Sequence, residues 1–180
     1  MKAGQNGSTL VEALIAALIM TTGVATMPQL FAVATSANAA SRRNTFAVVL
    51  AQQKLEQLRA LTWAYDAAGA PVQDVTTDTS TIPESSGGSG LQPSPASSLL
   101  QNTAGYVDHI DGSGRIVGNG TQIPPLAVYT RRWSIERISP SADSALILQV
   151  LVTTPTVVAA SGRGLRGDAR MATIKARKRL

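Results

Sequence analysis

Between Glu12 and Arg42 the chain carries no charged side chain. The stretch is built from Ala, Leu, Ile, Val and Met with a few small polar residues. It exceeds the roughly 20 apolar residues needed to cross a bilayer, and it is apolar all round. Such a helix has no polar face to turn to water, so it demands lipid or other helices. Residues 8 to 40 are therefore expected to form one helix. Thr21, Thr22, Gly23 and Pro28 interrupt its pattern. Proline lacks a backbone donor and crowds the preceding turn, which predicts a kink or a local melt near residues 23 to 28. The one charge inside the run is Glu12, and a carboxylate in such a segment costs roughly 2.5–3.5 kcal/mol on insertion scales unless it finds a counter-charge. No basic residue lies within the run. An amine freed by cleavage after Gly7 would be the nearest one.

The order Gly7-Ser8-Thr9-Leu10-Val11-Glu12 resembles the N-terminus of type IV pilins and pseudopilins. In that family a short polar leader ends in Gly, a prepilin peptidase cleaves after it and methylates the new N-terminus, and Glu occupies the fifth mature position. The resemblance implies a leader over residues 1 to 7, processing between Gly7 and Ser8, and Glu12 as the assembly residue. The family usually begins its mature chain with Phe; this chain has Ser8. Pro28 falls near the site of a proline common in pilin helices. The implied partners are other pilins or pseudopilins, the prepilin peptidase and the bacterial inner membrane. The C-terminal domain would lie outside that membrane, in the periplasm or beyond, and Lys2 weakly favours this orientation. A secretory signal cut after Ala39, at Ala37-Asn38-Ala39, competes with this reading. Its usual apolar segment is about 7–15 residues, shorter than the one here.

Residues 41 to 65 read as an amphipathic continuation of the helix. Leu55, Leu58 and Leu61 recur at helical spacing behind Phe46, Leu50 and Ala51, while Lys54, Glu56, Gln57 and Arg59 are expected on other faces. Lys54-Leu55-Glu56-Gln57-Leu58-Arg59 is similar to the post-membrane helix of minor pilins of the modification-protein type and of I-type minor pseudopilins of type II secretion. Residues 66 to 105, rich in Ser, Thr, Gly and Pro, read as a flexible loop too polar to bury much, with Leu99 and Leu100 the residues best suited to touch a core. Residues 106 to 180 alternate with period two. A hairpin is predicted over Tyr106–Val117, then strands over Leu126–Ile138, Ala145–Thr153 and Ala169–Lys178. In the second, Tyr129, Arg131, Trp133, Ile135 and Arg137 share one face. The fold class is α+β: a long N-terminal transmembrane helix packed on a small antiparallel sheet, the pilin-like arrangement that the resemblance implies.

Chemistry finds few residues to work with. The chain has no Cys and a single His, His109, which is expected at the surface. No nucleophile set or metal cluster can be assembled, so the chain reads as non-enzymatic and without a cofactor. Asp108, Asp111 and Gly112 faintly suggest a calcium turn but lack the EF-hand spacing, and a plain hairpin turn explains them better. Gly162 to Gly167 match G-x-G-x-x-G, yet only a short basic strand follows instead of a helix, so a turn is the better reading. The formal charge of +5 gathers at the end of the chain. Arg163, Arg166, Arg170, Lys175 and Arg177 are candidate contacts for an anionic ligand, and a filament-tip module binding nucleic acid through this basic strand is the alternative function. Tyr129 and Trp133 beside Arg131 and Arg132 could stack bases; core aromatics next to solvated arginines account for the same pattern.

Overall fold

The computed structural model describes residues 9–139, 142–154 and 168–179. The architecture is α+β. One helix, α1 (Leu10–Ala60), precedes ten strands: β1 (Trp63–Tyr65), β2 (Pro71–Gln73), β3 (Thr77–Asp78), β4 (Ser85–Ser86), β5 (Val107–Ile110), β6 (Ile116–Gly118), β7 (Tyr129–Ser139), β8 (Ala142–Thr153), β9 (Ala169–Ala176) and β10 (Lys178–Arg179). The chain divides into two units, Met1–Ser41 and Arg42–Leu180.

In the first unit α1 runs through Pro28 without interruption. The expected local melt does not occur. Thr21, Thr22, Thr35 and Ser36 each turn their hydroxyl back onto a carbonyl three or four residues earlier, at 2.8–3.0 Å. Each hydroxyl is thereby satisfied within its own helix, as an apolar medium requires.

In the second unit the remainder of α1 lies on a sheet of order β6-β5-β7-β8-β9, antiparallel throughout. The helix contributes Ala47, Leu50, Ala51, Leu55 and Leu58 to the core, and Leu61 follows directly after it. The sheet contributes Ile110, Tyr129, Trp133, Ile135, Leu146, Leu148, Val150 and Val152. The expected alternation is visible here: the even residues of β8 from Leu146 to Val152 are all fully buried. Each large aliphatic side chain so buried stabilises the fold by roughly 1.5–3 kcal/mol. Strand β7 begins at Tyr129, because Leu126 and Ala127 belong to the turn closed by the Ala127 amide on the Pro124 carbonyl, at 3.0 Å. The final strand breaks in two. β9 pairs with β8, and β10 leaves that sheet to pair in parallel with β1, whose other edge pairs antiparallel with β2.

The polar stretch 66–105 differs most from its sequence expectation. It carries β2, β3 and β4, and its turns are wound around aspartates. Asp66 Oδ1 accepts the amides of Ala68 and Ala70 at 2.9 and 2.8 Å, and Asp74 Oδ1 accepts those of Thr76 and Thr77 at 3.2 and 3.1 Å. This is the local side chain-to-backbone bonding that suits Asp to turns. Leu91, not Leu99 or Leu100, is the fully buried hydrophobic residue among those described in the stretch; Leu100 is 81% exposed.

Candidate functional sites at the helix start, the last strands and the buried charges

Glu12 stands in the first turn of α1. Its amide donates to Thr9 Oγ1 at 3.4 Å, and the Ala13 amide donates to the Thr9 carbonyl at 3.2 Å. Thr9 is therefore the N-cap and Glu12 the third helical residue, the Thr-x-x-Glu pattern of a capping box. The sequence reading of Glu12 as an assembly residue did not include Thr9, three residues upstream. A carboxylate here also meets the positive end of the helix. Gly7 and Ser8, the expected processing residues, lie outside the described residues. Beyond Glu12, the large apolar side chains of the helix from Leu10 to Val33 are each between 53% and 79% exposed. The mean hydropathy of the best 18-residue window is 1.9, with none of it buried. By length and composition the helix can cross a membrane, which favours single-pass anchoring of the chain.

The basic end resolves into separate structural jobs. Arg163, Arg166 and the whole Gly162–Gly167 segment lie outside the described residues. Arg170 reaches Gln149 Oε1 at 2.6 Å. Lys175, on the opposite face of β9 by alternation, donates to the Arg59 carbonyl at 2.5 Å. That carbonyl is one of the four left open at the end of a helix, where a cation is favoured. Partial burial, then the neighbouring Lys178 and Arg59, lower the Lys175 pKa. Arg177 lies 3.8 Å over the Trp63 ring and 4.9 Å from that of Tyr65, and it donates to Gln73 Oε1 at 3.0 Å. Arg170, Lys175 and Arg177 are thus each engaged within the protein, and Arg170 lies on the face of β9 opposite Lys175. The base-stacking platform is absent too: Tyr129 and Trp133 are buried, and so is Arg131.

That last burial reveals a cluster unforeseen in the sequence. Lys54, Asp108 and Arg131 meet in the core, all essentially without solvent exposure. Asp108 on β5 stands directly opposite Arg131 on β7. Asp108 Oδ2 accepts Arg131 Nε at 3.0 Å, Arg131 Nη2 at 2.7 Å and Lys54 Nζ at 3.0 Å. Arg131 Nη1 donates to the Leu50 carbonyl at 3.0 Å. Lys54 Nζ also donates to the Thr79 carbonyl at 2.7 Å and to Thr79 Oγ1 at 2.9 Å, and it sits 3.8 Å over the Trp133 ring. The helix, the sheet and the polar stretch are therefore joined by one charged knot. Burial pushes the Lys54 pKa down to about 8, with Asp108 opposing the fall and Arg131 adding to it. The expectation of Lys54 on a polar face and Arg131 in solvent is corrected. Lys54 lies three residues after Ala51 and four before Leu58, squarely on the apolar stripe.

His109 is likewise buried and not on the surface. Nε2 lies 2.9 Å from the Gly120 carbonyl and Nδ1 3.3 Å from Thr130 Oγ1. Asp111 forms the expected hairpin turn, accepting the amides of Ser113 and Arg115 at 2.9 Å each, with Gly114 at φ 89°. Asp108 and Asp111 thus work separately, Asp108 in the buried ion pairs and Asp111 in the hairpin turn. No family model, no curated protein and no solved structure matches this chain.

Proposed function

We propose that this chain is a minor pilin or pseudopilin, a non-enzymatic subunit that assembles into, or primes, a type IV pilus or a type II secretion pseudopilus. The observation that carries the reading is the first half of α1: a bilayer-length helix with its apolar side chains exposed, opened by Thr9 and Glu12 directly after Gly7-Ser8. In this reading a prepilin peptidase cuts between Gly7 and Ser8 at the cytoplasmic face of the inner membrane. The new amine then meets the Glu12 carboxylate of a neighbouring subunit. Neither charge is tolerated alone in hydrocarbon, so the pair favours docking of one helix against another and fixes their register. The compact unit after residue 41 would sit outside the membrane. The engagement of Arg170, Lys175 and Arg177 within the protein speaks against the alternative of a nucleic-acid-binding tip.

Two measurements test the proposal. The mass of the chain purified from its native host should correspond to a start at Ser8. A start at Ala40 would support a secreted soluble domain instead, and an intact Met1 in the assembled form would end the filament reading. Glu12→Ala should leave membrane insertion intact and reduce filament assembly at least tenfold, on the order expected for an unpaired charge in an apolar interface.

A further inference from the structure

A pocket of about 560 Å³ opens between the polar stretch and the β5–β6 end of the large sheet. It falls within the size range of small-ligand sites, about 300–1,000 Å³. Its rim is held from several sides. Asn119 Nδ2 donates to Ser80 Oγ at 3.1 Å, His109 Nε2 holds the Gly120 carbonyl at 2.9 Å, and Asn102 Nδ2 donates to the Thr121 carbonyl at 3.0 Å. The rim residues Asn119 and Gly120, and Thr121 next to them, are thus each tied to a different part of the chain. On the facing wall Ser89 Oγ donates to the Gly105 carbonyl at 2.6 Å, and the amides of Gly87 and Gly88 both donate to the Thr76 carbonyl, at 2.9 and 2.8 Å. A Cβ on Gly88 would lie 2.2 Å from Asp78 Cα, and one on Gly90 2.7 Å from the Asp74 carbonyl oxygen, so this backbone approach requires glycine. Loops braced in this way on a rigid scaffold are where proteins place recognition.

The lining selects a chemistry. Among the described residues it contains no Lys, Arg or His, which disfavours phosphate and carboxylate ligands. Its polar side chains offer acceptors. Asp78 spends Oδ1 on the Ser80 amide and hydroxyl, which leaves Oδ2. Gln92 gives one Nε2 hydrogen to the Val75 carbonyl and Asn119 one Nδ2 hydrogen to Ser80, which leaves an amide oxygen and one N–H on each. The Tyr106 ring and the glycine Cα groups supply apolar surface between them. We infer that this pocket binds a neutral, hydroxyl-rich ring, a monosaccharide unit of a glycan, with Asp78, Gln92 and Asn119 accepting from its hydroxyls. The inference holds whether or not the filament reading does.

Saturation-transfer NMR on the full chain in zwitterionic, sugar-free micelles tests it, with D-glucose, D-galactose and N-acetyl-D-glucosamine as probes. Transfer to at least one sugar, saturating at millimolar concentration, is expected. Asp78→Asn should weaken it about tenfold and Gln92→Ala about fivefold, the cost of losing a charged and a neutral acceptor. Gln92→Ala keeps the test decisive should Asp78→Asn disturb the Ser80 turn. Absence of transfer from all three sugars at about 50 mM, with folding verified by near-ultraviolet circular dichroism, would overturn the assignment. So would transfer unchanged in both variants, or preferential binding of lysine methyl ester or inorganic phosphate.

Discussion

Replacing Lys54 by Met should remove a pH dependence of stability and leave the fold in place. The Lys54 pKa falls from 10.5 to about 8 in the folded protein. At 1.36 kcal/mol per unit, that shift corresponds to about 3 kcal/mol of differential stability. The folded pKa lies below the unfolded one, so between pH 8 and 10.5 the unfolded chain binds more protons. Stability contributed by this group therefore rises as pH rises through that window; below pH 8 the full cost of burying the charge is present. Methionine keeps the length of the stem over Trp133 and leaves Asp108 paired one to one with Arg131. It gives up the bonds to Thr79, a loss of about 1–3 kcal/mol that offsets much of the relief at neutral pH. The expected result is near-equal stability of the two proteins at pH 7 and a wild-type advantage that grows toward pH 10. Urea unfolding of the full chain in micelles reads this directly, because both tryptophans, Trp63 and Trp133, are buried in the second unit. Other titrating groups cancel in the difference between the proteins. Parallel stability curves for Lys54→Met and wild type from pH 7 to 10 would refute the reasoning.

Three further substitutions probe separate parts of the structure. Leu91→Ala should cost about 2–5 kcal/mol in urea unfolding if the polar stretch contributes to the core; a cost below about 0.5 kcal/mol would mark the stretch as a dispensable surface insertion. Asp108→Ala leaves two buried cations without their carboxylate and should lose about 3–5 kcal/mol by the same assay, more than either cation's removal; a loss below that of Lys54→Met would contradict it. Arg177→Ala should cost about 0.5–2 kcal/mol and shift the Trp63 emission as the ring loses its cation; an unchanged spectrum would dismiss the stacking.

Much of the scaffold was legible in the residues because its forces are local and periodic. The long apolar run, the Leu55–Leu58 stripe and the alternation from Leu146 to Val152 each point one way. The polar stretch misled because its order comes from Asp66, Asp74 and Asp78 bonding neighbouring backbone, which hydropathy does not register. The charged knot was hidden by a habit of placing Lys and Arg outside. Yet its signal was there: Lys54 sits on the apolar stripe, and Arg131 shares a strand face with Tyr129, Trp133 and Ile135. Two cations on core faces imply a buried carboxylate, and Asp108, between Val107 and the buried His109, was the one to suspect. The partners of Lys175 and Arg177 could not be read, because they depend on the last strand changing sheets after Ala176. Of the candidate assembly site, Thr9 and Glu12 were readable as a pair at capping spacing.

The parallel pairing of β10 with β1 has a bearing on biogenesis. Synthesis proceeds from the helix end, so Trp63–Tyr65 emerge early and wait for Lys178 and Arg179, more than a hundred residues later. Until then β8 has a bare edge, the α1 carbonyl at Arg59 has no lysine and Trp63 has no guanidinium over it. Closure of so distant a pair is slow. A nonsense codon anywhere before Ala169 would accordingly remove the clasp and not merely trim a tail.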